Sequence, residues 1–120
     1  MKNRTYAAVL GVALVATGAG CSSRSGDQIA FGARVAQQGH WREAAFRFEK
    51  VIAQDPKNAR AHNDLAVALE ATGDFARALE EYKKALELDP QNNYIRRNYA
   101  RFAEFYTSYT RTTGKAAGGP

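Results

Sequence analysis

The chain has 120 residues, enough for one small domain, and its 45% hydrophobic and 24% charged residues make a globular rather than a disordered balance. The formal net charge of +5 falls to 15 − 12 = +3 once residues 1–20, with Lys2 and Arg4 and no acid, are set aside. The remaining bases are dispersed, which argues against nucleic acid as a partner.

In residues 1–20, Lys2 and Arg4 precede an apolar run over 7–16, and the small residues Thr17, Gly18, Ala19 and Gly20 follow. A charged start, a short apolar stretch and a small-residue site make the pattern of a secretory signal, so the chain reads as exported. The run is about half of the roughly 20 residues a spanning helix needs. The single cysteine, Cys21, stands directly after it and has no intramolecular partner. Small residues before a cysteine at a signal's end resemble the lipobox of bacterial lipoproteins, although Gly18 fills a place usually held by an aliphatic residue. That resemblance implies acylation of Cys21 and a lipid-held protein. Ser22 after the cysteine is compatible with the periplasmic face of the outer membrane. The alternative is ordinary cleavage and a free thiol.

Residues 21–26 are small and polar and read as a tether. A first helix is expected to start near Ser25, capped by its hydroxyl with Gln28 reaching back. Ile29, Phe31, Gly32, Val35 and Ala36 form its apolar stripe, and Gly39 stops it. A second helix runs from Trp41 to Gln54, with Ala44, Ala45, Phe48, Val51 and Ile52 inward, and Asp55-Pro56 ends it. The third, Ala59 to Thr72, buries Leu65, Ala66 and Leu69 and breaks at Gly73. Asp74 is placed to cap the fourth, Phe75 to Leu88, which buries Ala78, Leu79, Tyr82, Ala85 and Leu86 before Asp89-Pro90. A fifth helix follows from Asn92 to about Tyr109. Its stripe of Ile95, Tyr99, Phe102 and Tyr106 faces the helix before it, while Arg96, Ala100, Ala103 and Thr107 point where a sixth would lie. Residues 110–120 read as a disordered tail.

The chain repeats itself at a fixed step: Gly39 and Gly73, Ala44 and Ala78, Phe48 and Tyr82, Pro56 and Pro90 are each 34 residues apart. Leu65, Ala66, Gly73, Phe75, Ala78, Tyr82, Ala85 and Pro90, echoed by Phe31, Gly32, Gly39, Ala44, Phe48 and Pro56, resemble the tetratricopeptide-repeat pattern. Gln28 and His62 stand at its signature tryptophan place. The resemblance implies an all-α short solenoid over residues 27–109: repeats over 25–58 and 59–92, then a capping helix over 92–109.

No catalytic constellation, P-loop, dinucleotide fingerprint or metal spacing is visible, and no cofactor is expected. His40 and His62 read as structural, and Glu80, Glu81, Lys83 and Lys84 as a solvated face. In the resembled family the first helix of each unit lines a concave groove that holds a peptide or helix. Transferred position by position, that groove would be lined by Ile29, Ala33 and Gln37, by Arg60, Asn63, Asp64 and Val67, and by Tyr94, Arg97, Asn98, Arg101 and Phe105. Its asparagines would pair with a peptide backbone, and Arg97 with Arg101 would grip a carboxylate. Ile29 and Ala33 are apolar where the clamp of chaperone-binding relatives begins, so chaperone tails are not the expected cargo. The rival reading is a plain solvated face. The expectation is thus a non-catalytic adaptor at the bacterial envelope that binds another protein. The alternatives are a self-assembling protein, drawn from the aromatic fifth helix, or a pilotin-like assembly factor of a secretion or pilus system.

Overall fold

The computed structural model describes residues 20–114, with side chains from Arg24 onward. The signal-like run over 1–19, the tail over 115–120 and the Cys21 side chain lie outside the described residues. The described residues are all-α: α1 (Gly20–Gln37), α2 (Trp41–Gln54), α3 (Ala59–Thr72), α4 (Phe75–Leu88) and α5 (Asn93–Thr113). Each packs antiparallel on the next, with lighter contacts of α1 to α3 and α3 to α5, the arrangement of stacked helix-turn-helix units.

Local chemistry sets the ends of α2, α3 and α4 where the sequence places them. Gly39 and Gly73 take φ of +84° and +83°, the left-handed geometry a glycine adopts without a Cβ clash. At Gly73 the amide reaches the Glu70 carbonyl and Asp74 N–H reaches Leu69, so the last carbonyls of α3 are satisfied within the turn. Asp55 (φ −138°, ψ 82°) and Asp89 (φ −143°, ψ 75°) leave the helical region, which the following proline disfavours, and their N–H groups close α2 and α4. Asn58 accepts the Ala61 N–H at 3.0 Å, Asp74 accepts Arg77 N–H at 3.4 Å, and Asn92 accepts from both Tyr94 and Ile95. His40 occupies the equivalent place before α2 but makes no side-chain cap hydrogen bond.

Both outer helices differ from expectation. α1 begins at Gly20, so 21–26 is helical rather than an irregular tether, and Ser25 lies inside the helix instead of capping it. Ser25 and Ile29 are both buried, one helical turn apart, and continue the inward stripe of α1 towards its N-terminus. α5 continues to Thr113 past the expected end at about Tyr109, with the hydroxyls of Thr107, Thr110, Thr112 and Thr113 folded back onto carbonyls of the preceding turn.

The core runs down the centre of the stack through Phe48, Leu65, Tyr82 and Phe102, with Ala44, Ala66 and Ala78 where helices cross. At the α1–α2 crossing a Cβ on Gly32 would lie 2.6 Å from Phe48 Cε1, so only glycine allows that approach. The apolar stripe expected for α1 includes Phe31. Phe31 is instead 39% exposed at the open side of α1, with the Arg47 guanidinium 4.2 Å and that of Arg34 5.5 Å from its ring centre. Among the described residues no unit precedes the first pair to cover it. His62 is structural: Nδ1 lies 2.6 Å from Glu81 Oε2 on α4 and Nε2 2.8 Å from the Pro56 carbonyl.

Candidate functional site

α1 and α3 present their exposed faces on one side of the stack, and the start of α5 closes the end. Between them is a cavity of about 460 Å³. Its floor is apolar, made by Ala33, Ala36, Trp41, Phe48, Val67 and Ile95. Its polar margin is Gln37, Arg60, Asn63, Asp64, Asn92 and Tyr94. Arg60 stands at the rim, its side chain 67% exposed and paired with Asp64, Nε 3.6 Å from Oδ2, while Asp64 is only 14% exposed. Burial pushes the Asp64 carboxyl above its ordinary value, and hydrogen bonding from Asn63 and the charge of Arg60 pull it partly back. An apolar socket with an exposed cation, a half-sunk acid and a tyrosine at its edge has the chemistry to accept an apolar side chain and to hydrogen-bond polar groups beside it. It offers no nucleophile with an adjacent base. Among the described residues there is no cluster of three or more metal-ligating side chains.

Of the residues expected to line the groove, Ala33, Gln37, Arg60, Asn63, Asp64, Val67 and Tyr94 meet in this cavity. Ile29 does not, being 2% exposed in the core. Asn63 is fully buried, its amide donating to Asp64 and its oxygen accepting from Asn98 at 3.1 Å, so these two asparagines bind each other across α3 and α5. Arg97 lies outside, in a shallow hollow with Asn93, Arg96 and Ala100, and its Nε donates to the Asn93 carbonyl of its own helix. Arg101 is held in two-pronged fashion, but by Glu70 of this chain, at 2.7 and 3.0 Å. Glu70 also accepts the Tyr82 hydroxyl at 3.0 Å, and burial, then the Glu70 charge, raises that hydroxyl well above its usual range. Phe105 stands edge-on to Phe75 with centroids 5.0 Å apart, and Tyr109 does the same at 4.9 Å, so the surplus aromatics of α5 pack on the first turn of α4.

Trp41, Phe48 and Ala36 belong to the floor although none was expected there. The repeat itself could have found them. Position 36 precedes 67 by 31 residues, as 70 precedes 101, so Ala36–Val67 and Glu70–Arg101 occupy equivalent places at successive junctions. The second junction is filled by an ion pair, while the first has two small apolar residues and stays open.

Comparison with known proteins agrees with this architecture. A family model described as "Tetratricopeptide repeat" matches residues 30–93. The type IV pilus assembly protein PilF of Pseudomonas aeruginosa is 36% identical over 66 residues, covering 55% of this chain and 26% of that relative. The match therefore spans about a quarter of the relative's length.

Proposed function

We propose, from the premise that this chain belongs to the tetratricopeptide repeat family, that it is a non-catalytic adaptor of the bacterial cell envelope whose concave cavity seats a peptide or helix of a partner protein. The observation that carries this reading is the apolar socket between α1 and α3, rimmed by Arg60, Asp64 and Tyr94 and lacking the ion pair that fills the next junction. An apolar anchor from the partner would enter between Ala36 and Val67, and Arg60 would meet an acid beside it. A photo-crosslinker at Tyr94 in intact cells is expected to capture one partner, and Val67→Arg to abolish capture with helicity unchanged. Capture that survives Val67→Arg would place the binding surface elsewhere.

The envelope setting is part of the same proposal. The apolar run over 7–16 followed by Cys21 supports export and acylation, which would hold the solenoid at the periplasmic face of the outer membrane. Because α1 begins at Gly20, a lipid on Cys21 would be joined to the first helix with little free chain between them. No helix among the described residues is long and apolar enough to cross a membrane. Cys21→Ala is expected to move the protein from the membrane to the soluble fraction; continued sedimentation with membranes would count against acylation. A second reading, an assembly factor of a pilus or secretion system, is supported by the likeness to a relative named for type IV pilus assembly. Pilus number in a strain lacking this chain is the measurement for it, and unchanged piliation would reject it.

A further inference from the structure

The outward face of α5 is a helix-pairing surface that is left open among the described residues, and the 34-residue step states what should cover it. His62, Ala66, Leu69 and Gly73 are the positions of α3 that meet α4, and the first three are 6%, 0% and 4% exposed. Their equivalents one repeat on are Arg96, Ala100, Ala103 and Thr107, all exposed but the half-buried Ala103. A hollow of about 550 Å³ lies at the start of this face, lined by Asn93, Arg96, Arg97 and Ala100. The Arg96 side chain has no hydrogen bond or ion pair among the described residues, and that of Arg97 reaches only its own helix.

We propose that this face of α5 docks an acidic amphipathic helix of a partner protein, which packs on α5 as α4 packs on α3. The site is distinct from the concave cavity. Three observations choose the occupant. First, charge: α5 carries Arg96, Arg97, Arg101 and Arg111 against one acid, Glu104, and Arg101 is already held by Glu70. Second, register: where α3 places His62, α4 answers with Glu81 at 2.6 Å, three residues after the small Ala78 and one before the aromatic Tyr82. Arg96 in the place of His62 calls for a carboxylate in the place of Glu81. The docking helix therefore carries a small residue, an acid three positions later and an aromatic immediately after it.

Third, the described residues do not supply this helix. α5 runs straight through Thr107, the place where Gly73 turns the chain back after α3, and continues to Thr113. Residues 1–19 and 115–120 contain bases and no acid, the wrong sign for Arg96 and Arg97. A second copy stacking head to tail would bring Arg34 and Lys50 of its open α1–α2 end, where Arg47 is paired with Glu43, towards those arginines. Like charges there oppose that contact.

The test uses the full chain and a fluorescent peptide of residues 74–91 of this sequence, made acidic by Lys83→Glu and Lys84→Glu. Binding is expected, and Arg96→Glu in the chain should weaken it about threefold or more, the size of one exposed charge pair. Glu81→Lys in the peptide should restore binding to the Arg96→Glu chain. Ala100→Trp, which fills the crossing point, should weaken binding at least about tenfold. The proposal is overturned if the peptide does not bind, or if Ala100→Trp and Arg96→Glu leave binding intact while Val67→Arg abolishes it, which would place the peptide in the cavity. It is also overturned if the unmodified chain is a dimer by light scattering that Ala100→Trp converts to monomer, since a second copy would then cover the face.

Discussion

Replacing Glu70 with alanine releases two helices at once. Its carboxylate accepts Arg101 Nη1 at 2.7 Å and Nη2 at 3.0 Å from α5, and the Tyr82 hydroxyl at 3.0 Å from α4. The Arg101 side chain is 57% exposed, so its ion pair ranks with surface pairs, about 0.5–1 kcal/mol. Tyr82 is fully buried, and its hydroxyl would be left without an acceptor, at a cost of about 1–2 kcal/mol. Together Glu70→Ala should cost about 2 kcal/mol, which in a domain of this size lowers Tm by about 10 °C. Tyr82→Phe removes the hydroxyl together with its need for a partner and should cost less than about 1 kcal/mol. The double variant no longer buries an orphaned hydroxyl and should be somewhat more stable than Glu70→Ala alone, giving a coupling of about 1 kcal/mol in the double-mutant cycle. Urea unfolding followed by far-UV circular dichroism measures all four proteins. A Glu70→Ala variant within about 0.5 kcal/mol of the parent, or a cycle in which the two changes simply add, would refute the claim that this carboxylate ties α3, α4 and α5 together.

Asp64 offers a test in pH. Burial raises its carboxyl above 3.8, so the native state binds that proton more tightly than the unfolded chain, and the stability it contributes below 3.8 is lost as pH rises through the native value. Asp64→Asn should therefore be more stable than the parent at neutral pH, with the difference shrinking as pH falls towards 4; a constant difference would show that charge is not the cause. Gly32→Ala should destabilise by about 1 kcal/mol net, because the gain in helix propensity of about 1 kcal/mol is outweighed by overpacking of about 1–3 kcal/mol against the buried Phe48 ring. Thermal unfolding of the pair decides it, and a stabilised variant would mean that Phe48 has room to shift.

The fold was legible because it is set by local, repeated chemistry. Glycine at 39 and 73 and proline at 56 and 90 each act within a turn of where they stand, and the 34-residue step shows them twice; Asp74 caps α4 as placed, although His40 at the equivalent position does not cap α2. α1 was less legible because Ser25, polar in sequence, is buried one turn before Ile29, and nothing in its own chemistry marks it as interior. The lining of the cavity was legible by face but not by availability. Arg101 and Asn98 do lie on the concave side of α5, yet Glu70 and Asn63, 31 and 35 residues earlier, already occupy them. Such pairings arise between successive units, so they appear only when residues are compared across the step and not within one helix. Phe105 was displaced from the groove by Phe75, through a contact between α4 and α5 that helix-by-helix periodicity does not register.

That same comparison across the step explains why one junction is open and the next is sealed, and it makes the difference transferable. Positions 36 and 67 stand to each other as 70 and 101 do, so Ala36→Glu with Val67→Arg would write the second junction's ion pair into the first. The introduced carboxylate and guanidinium would cross the mouth of the 460 Å³ cavity and cover Phe48 and Trp41 on its floor. The exposed pair itself is worth no more than about 1 kcal/mol, and the two positions are only partly buried, so the double variant should fold with nearly the parent's stability. Loss of partner crosslinking at Tyr94 by this variant, with unfolding unchanged, is the outcome expected of a cavity that works by being open. Ala36→Glu alone, leaving one charge unpaired at the rim, should weaken capture less than the pair does, whereas Val67→Arg alone already abolishes it. If the double variant still captures its partner as the parent does, the apolar socket between Ala36 and Val67 is not where the partner is held.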